Sequence, residues 1–297
     1  MYVCAILLFI IGLIKIAREA RAEHGIDKIM QFGRLFFAIP MAVFGSEHFT
    51  VTAAIADMVP RWIPVHTFWV YLVGLGFLCA GLSIAVLVQA RLAAALVGLT
   101  FLIFVLVIDV PTILAAPDNR FSWALALREL AFSGGALAFA MSQWSSRSRQ
   151  PWRAQTKWAA FPRLFIAISC LFYGIEHLLH PEHVPGVPLA RLTPAWIPGR
   201  IFLGYFVGTI LIAAGACLLG KKKPRMAATS LGLTILLTMF WVYLPMLLAM
   251  PKDVETLNYF FDTLLFCGTI LLLANAMENS TLAVFPEHKV IGEAGLP

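Results

Sequence analysis

The sequence predicts an all-α, polytopic membrane protein: two fused four-helix bundles in parallel orientation behind one N-terminal helix, about nine membrane helices in all. Three observations predict it. Hydrophobic residues make up 60% of the 297 and charged residues 13%, with a mean hydropathy of +0.85. A soluble domain is about half apolar and about a quarter charged. The apolar stretches approach or exceed the roughly 20 residues that a helix needs to cross a hydrocarbon core, and no strand-like alternation accompanies them. Finally, the chain repeats itself. Phe32-Gly-Arg34-Leu-Phe-Phe-Ala-Ile39 returns as Phe161-Pro-Arg163-Leu-Phe-Ile-Ala-Ile168.

Each copy of that segment begins 13 residues before a Gly-x-Glu-His, Gly45-Ser-Glu47-His48 and Gly174-Ile-Glu176-His177, at an offset of 129. Pro60-Arg-Trp62-Ile63-Pro64 then answers to Pro194-Ala-Trp196-Ile197-Pro198 at an offset of 134. That offset holds through Gly74/Gly208, Gly81/Gly215, Arg91/Arg225, Pro111/Pro245 and Gly134/Gly268. A repeat of this length reads as a duplicated domain rather than a solenoid unit. The expected organisation is an N-terminal membrane anchor and basic loop (1–29), a first repeat (30–144), a linker (145–160), a second repeat (161–277) and a tail (278–297).

Taken in order, Met1 to Ala17 is apolar. Ala20-Arg-Ala22 has the form of a signal-peptide cleavage site, but no positive charge precedes the apolar run, whereas Lys15, Arg18 and Arg21 follow it. An uncleaved helix with its N-terminus outside is therefore expected. Spans follow near 33–49, 67–88, 92–114 and 121–141, then near 162–179, 200–219, 227–249 and 257–276. Four spans per repeat is an even number, so both halves run the same way through the bilayer, as in parallel-repeat membrane proteins. Three loops are basic: 18–34, 145–163 and Lys221-Lys-Lys-Pro-Arg225. The positive-inside rule places them in the cytoplasm, and the bacterial inner membrane is the expected location. The net charge of +6 then reports topology and contact with anionic lipid, so nucleic acid need not be invoked. Gly74-Leu-Gly76, Ala80-Gly81, Gly204-x-x-x-Gly208 and Ala213-Ala-Gly215 are small-residue packing devices. Cys4, Cys79, Cys170, Cys217 and Cys267 lie apart in apolar spans and read as buried, inert thiols.

The chemistry is expected among polar residues at membrane depth. Asp109 lies late in the third span, and Arg128 and Glu129 early in the fourth. At 1.5 Å per residue each is roughly 10 Å inside the boundary. A lone charge there costs several kcal/mol, so Asp109 and Arg128 are expected to pair. In the second repeat these positions carry Tyr243 and Asp262, and Glu129 becomes Thr263, so Asp262 is expected to bond Tyr243 or Asn258. Such groups either form a structural ion pair or line a ligand or proton path.

The outer-face motif comprises Glu47, His48 and Trp62, with Glu176, His177 and Trp196 as counterparts. Adjacent helical residues diverge by about 100°, so one member of each Glu-His should face inward and the other the interface. Pro-x-Trp-Ile-Pro reads as a headgroup-level turn, with tryptophan as anchor. Convergence of these elements with the polar fourth helix would give a shallow cavity for an amphipathic molecule. His177 and His180 are spaced i, i+3, and His183 follows, as a metal or haem site would need; head-group contact is the plainer reading for these interfacial residues.

An arginine at the start of the first helix, Gly-x-Glu-His, a Pro-x-Trp-Ile-Pro loop and a polar fourth span together resemble the DoxX-like membrane proteins, here as two copies over about residues 30–276. The resemblance implies a four-helix bundle per copy. It also implies association with redox partners, since some relatives are the membrane subunit of a thiosulfate:quinone oxidoreductase or accompany thiol-handling enzymes. The chain lacks the paired cysteines of relatives that use thiols. Three functions are expected in order: a non-catalytic subunit of a membrane redox complex that binds quinone or other subunits; a transporter or channel with a path between the repeats lined by Asp109, Arg128 and Asp262; and a metal- or haem-binding membrane enzyme. Nucleotide-binding loops and nucleophile elbows are absent from the sequence.

Overall fold

The computed structural model describes residues 1–19, 26–148, 160–187 and 189–282. Most of the linker, and the tail beyond 282, lie outside them. The described residues form helices, with no strand beyond one isolated bridge between His183 and Leu192. In order they are α1 (Tyr2–Glu19), α2 (Ile26–Thr50), the short α3 (Thr52–Ala56), α4 (His66–Val86), α5 (Ala90–Phe104), α6 (Val110–Ala115) and α7 (Arg120–Ser148). The second half supplies α8 (Ala160–Leu179), α9 (Arg200–Leu219), α10 (Pro224–Thr238), α11 (Leu244–Ala249) and α12 (Val254–Leu282). Eight stretches are long and apolar enough to cross a membrane, α5–α6 and α10–α11 each counting once. The protein is an all-α, multi-pass membrane protein.

The N-terminal helix has a shorter apolar stretch, Tyr2–Ala17. It nevertheless runs antiparallel to α2. The Tyr2 hydroxyl donates to the Pro251 carbonyl at 2.6 Å, beyond the end of α11, and Gly12 abuts Leu35 in α2.

Packing proceeds round a closed ring, α2–α4–α5–α7–α8–α9–α10–α12 and back to α2, while α7 and α12 also meet across the middle. Directions follow from the touching residues. Gly134 of α7 lies on Pro162 and Ile166 of α8, and Tyr173 of α8 donates to Ala124 O at 2.8 Å, so these helices are antiparallel. Between α7 and α12, Gly135 meets Thr269 and Arg128 meets Asp262, so these two are parallel. Both contacts join residues 134 apart, the repeat offset, which places them on the pseudo-two-fold axis. The halves are thus parallel repeats whose fourth spans share one interface. The α12 span is the most interior, with 89% of its apolar window buried, against 28% for Ala90–Ala115.

The repeated glycines explain themselves here. Apolar surface gains little by leaving lipid for protein, so membrane helices associate through close backbone approach. A Cβ at Gly74 would lie 2.5 Å from His48 Cβ, and one at Gly208 would lie 2.8 Å from His177 Cβ. Gly81 faces Ala38 O at 2.8 Å, and Gly215 faces Ala167 O at 3.0 Å. Gly-x-Glu-His with its partner glycine is therefore the crossing point of the first two spans in each half.

The third spans share a less common feature. Val105–Asp109 and Met239–Tyr243, again 134 apart, each form a π-helical turn just before Pro111 or Pro245. The wide turn accommodates the missing N–H of proline and ends on Asp109 or Tyr243, both buried. The Trp-Ile-Pro loops also match: Ile63 N donates to Pro60 O at 2.9 Å, and Ile197 N to Pro194 O at 3.0 Å. Trp62 and Trp196 remain exposed, as interfacial anchors would be.

Gly268→Val should destabilise the protein by about 1–3 kcal/mol or more, because its new side chain would meet the backbone of Phe36 and Phe37, which cannot step aside. Gly76→Ala, with nothing within 4 Å, should stay within about 0.5 kcal/mol of the parent. Unfolding midpoints in mixed detergent micelles would check both.

Candidate functional site

The polar residues expected at membrane depth do converge, but not in the expected pairs. Arg128 Nη1 bonds Asp262 Oδ2 at 2.5 Å, and Arg128 Nη2 lies 3.7 Å from Glu129 Oε1. The guanidinium also sits over the Phe132 ring, 5.9 Å from its centroid. Asp109 is therefore not the direct partner of Arg128. Its carboxyl instead lies within hydrogen-bonding reach of that of Glu129. The physical reason is the axis: α7 and α12 run parallel at close range, so equivalent positions on the two helices meet, whereas Asp109 approaches α7 from the third span.

Asp262 bonds neither Tyr243 nor Asn258. The Tyr243 hydroxyl donates to Pro185 O at 2.8 Å and contacts Thr263. The Asn258 amide donates to the Glu47 carboxylate. Glu47 is buried within electrostatic reach of Asp262 and Arg128. Four carboxyl groups (Glu47, Asp109, Glu129 and Asp262) thus gather around one guanidinium.

Glu-His behaves differently in the two halves. Next to Glu47, His48 Nδ1 bonds Phe44 O of its own helix at 2.7 Å. In the second half Glu176 accepts from Arg120 at 3.0 Å, and His177 is wholly buried, its Nε2 accepting from Gly186 N at 2.9 Å. The expected contact of these residues with lipid head groups is overturned for Glu176 and His177. The loop after α8 turns back into the bundle instead, and Val184–Val187 are buried between α8, Tyr243 and α12. His177 and Tyr243 bind the backbone of this segment, while Tyr259 accepts from Ala190 N and Arg191 N. In the first half, α3 occupies the corresponding loop and buries no residue.

The consequence is an asymmetric site. The Asp109–Glu129 contact and the Tyr243–Thr263 contact occupy equivalent positions. The second is sealed beneath the re-entrant segment, whereas Arg128 and Glu129 keep 18% and 14% side-chain exposure. Trp62 and Trp196 are not drawn into the cluster; each points away from the protein.

Sequence reasoning missed Arg120, the first residue of α7. It bonds Glu176, His183 Nε2 at 3.1 Å and Leu189 O at 2.6 Å, tying the first half to the re-entrant loop. Burial, with the Arg120 charge beside it, holds His183 below the usual imidazole range. The histidines expected as metal ligands are not all together, because His177 is committed to Gly186. Glu182 replaces it beside His180 and His183. None of the five cysteines is paired.

A separate cavity of about 170 Å³ lies at the opposite end of the bundle, lined by Gln31, Arg34, Gln143 and Asn275 with apolar neighbours. The glycine layer at 134, 135 and 268 stands between it and the acid cluster.

Asp262→Asn should cost up to about 3–5 kcal/mol, because it removes the carboxylate hydrogen-bonded to a buried guanidinium, whereas Arg128→Met with Asp262→Leu should cost far less. Asp109→Asn should fall well short of Asp262→Asn. Denaturation of the three variants would check the pairing, and equal damage from Asp109→Asn would contradict it. No family model, curated protein or solved structure matches the chain.

Proposed function

We propose that the protein is a membrane subunit that binds a small amphipathic redox molecule of the quinone class at the first-half acid cluster and exchanges protons with it. The observation that carries this reading is the gathering of the Asp109 and Glu129 carboxyls, within hydrogen-bonding reach of each other, beside the buried Arg128–Asp262 pair. Two carboxyls attract only when a proton lies between them, and surplus negative charge is not tolerated in an apolar interior. A held proton next to a fixed cation suits quinone reduction. The Asp109–Glu129 pair supplies a proton to a quinone oxygen, and Arg128 stabilises the oxygen while it is anionic. Two electrons, delivered by an electron-carrying partner subunit, and a second proton, taken from water as the carboxyl pair is reprotonated, complete the quinol. This chain's part is to hold the ring and its protons.

The DoxX-like arrangement of Arg34, Glu47-His48 and Trp62-Ile-Pro64, repeated as Arg163, Glu176-His177 and Trp196-Ile-Pro198, supports the same reading, since quinone-linked subunits occur among such proteins. By the loop charges, the cluster faces the outer side of a bacterial inner membrane and the basic loops lie in the cytoplasm. A transport path between the repeats is disfavoured by the seam, where Gly135 packs against Thr269 and Gly268 against Phe37.

The purified protein should show the infrared carbonyl stretch of a protonated carboxyl at neutral pH, lost in Asp109→Asn and in Glu129→Gln. The same variants should retain quinone at least about tenfold more weakly, a difference of about 1.4 kcal/mol. Parent protein that retains no quinone, or solute flux in proteoliposomes abolished by Asp109→Asn, would overturn the proposal.

A further inference from the structure

The turn that leaves α8 carries a second cluster, apart from the buried acids. His180, Glu182 and His183 place their ligating atoms within 4.8 Å of one another. His180 Nδ1 and His183 Nδ1 each lie 3.6 Å from Glu182 Oε1. Donors on a tetrahedral zinc ion, at about 2.0–2.2 Å from the metal, stand about 3.3–3.4 Å apart, so each histidine must close on Glu182 by only a few tenths of an ångström, and the two histidines on each other by no more than about 1.5 Å.

The turn is also built rather than loose. Its backbone closes through His183 N to His180 O, and Thr193 N and Oγ1 donate to Glu182 O and His183 O. Pro181 rests directly on α9, where a Cβ at Gly204 would come within 2.3 Å of Pro181 O; only glycine permits that seat. Within this frame His183 Nδ1 is buried and makes no hydrogen bond. His180 and Glu182 are 44% and 40% exposed, so one side of the cluster stays open.

We propose that His180, Glu182 and His183 bind a divalent transition-metal ion of the zinc type, as three protein ligands with the fourth position open to water. Two imidazoles and one carboxylate are a donor set suited to such an ion, and an incomplete protein shell leaves it accessible. Ligation has a structural consequence. An arginine only donates, so Arg120 holds His183 with Nε2 as acceptor. A metal on Nδ1 requires the ring proton on Nε2, so the ion and the Arg120–His183 bond exclude each other, and Arg120 keeps Glu176 and Leu189 O. The ion would therefore reset one of the ties between the first half and the re-entrant loop.

The test is equilibrium dialysis of the full chain, stripped with chelator in mild detergent, against micromolar Zn²⁺, followed by elemental analysis. One ion per chain is expected for the parent and for the His66→Ala control. Glu182→Gln and His180→Ala should each bind at least about tenfold more weakly. Both alter exposed side chains, so they report on ligation even if His183→Ala fails to fold. Replacement by Co²⁺ should give the visible absorption of a four-coordinate site, lost in the same variants. Parent protein without a stoichiometric ion, or variants that bind like the parent, would overturn the proposal.

Discussion

The pairing of Arg128 with Asp262 constrains the rest of the molecule, because a guanidinium inside an apolar bundle must find an anion or carry a heavy desolvation cost. Its anion comes from the position that the duplication made equivalent to its own. That contact requires α7 and α12 to run parallel at close range, which Gly135 permits against Thr269, while Gly134 and Gly268 let α8 and α2 approach the same pair. Once the fourth spans are joined in this way, the first spans must pack on the opposite half, α2 on α12 and α8 on α7. The result is one interlocked ring of spans rather than two bundles side by side.

Much of this was legible in the residues. Span positions follow from apolar length, and parallel orientation follows from an even number of spans per repeat. The bend of the third span follows from Pro111 and Pro245, although the π-helical form of the preceding turn does not. The partner of Arg128 could be read only with the helix directions in hand. Its signal was nonetheless present, as opposite charges at one repeat position, Arg128 and Asp262. The re-entrant loop was less visible. His177 lies near a helix end, where histidine ordinarily meets water, and the short Val184-Pro185-Gly186-Val187 stretch carries no periodicity that announces burial. The Gly186 N–H, which donates to His177 Nε2, gives the buried ring its partner.

The division between shared and unshared residues is physically meaningful. What both halves keep (Gly45/Gly174, His48/His177, Gly74/Gly208 and Pro60/Pro194) makes helix crossings and turns. Most of what they do not share is polar: Asp109, Arg128 and Glu129 in one half, Tyr243, Asp262, Thr263 and an inserted loop in the other. The second half thus satisfies its buried polar side chains with its own backbone, through Tyr243 on Pro185 O and His177 on Gly186 N.

The axial contact also bears on ancestry. Before the duplication, a two-fold pair of single copies would have set each residue of the fourth span against itself, because an isologous interface repeats its contacts. Had either present residue stood there, two arginines or two aspartates would have met at depth 128/262, and either encounter is repulsive. An Arg–Asp contact there could arise only after the copies became separable genes or one fused chain. Fusion then guarantees that unlike partners meet in equal number. Severed halves should consequently recognise their complement in preference to their own kind.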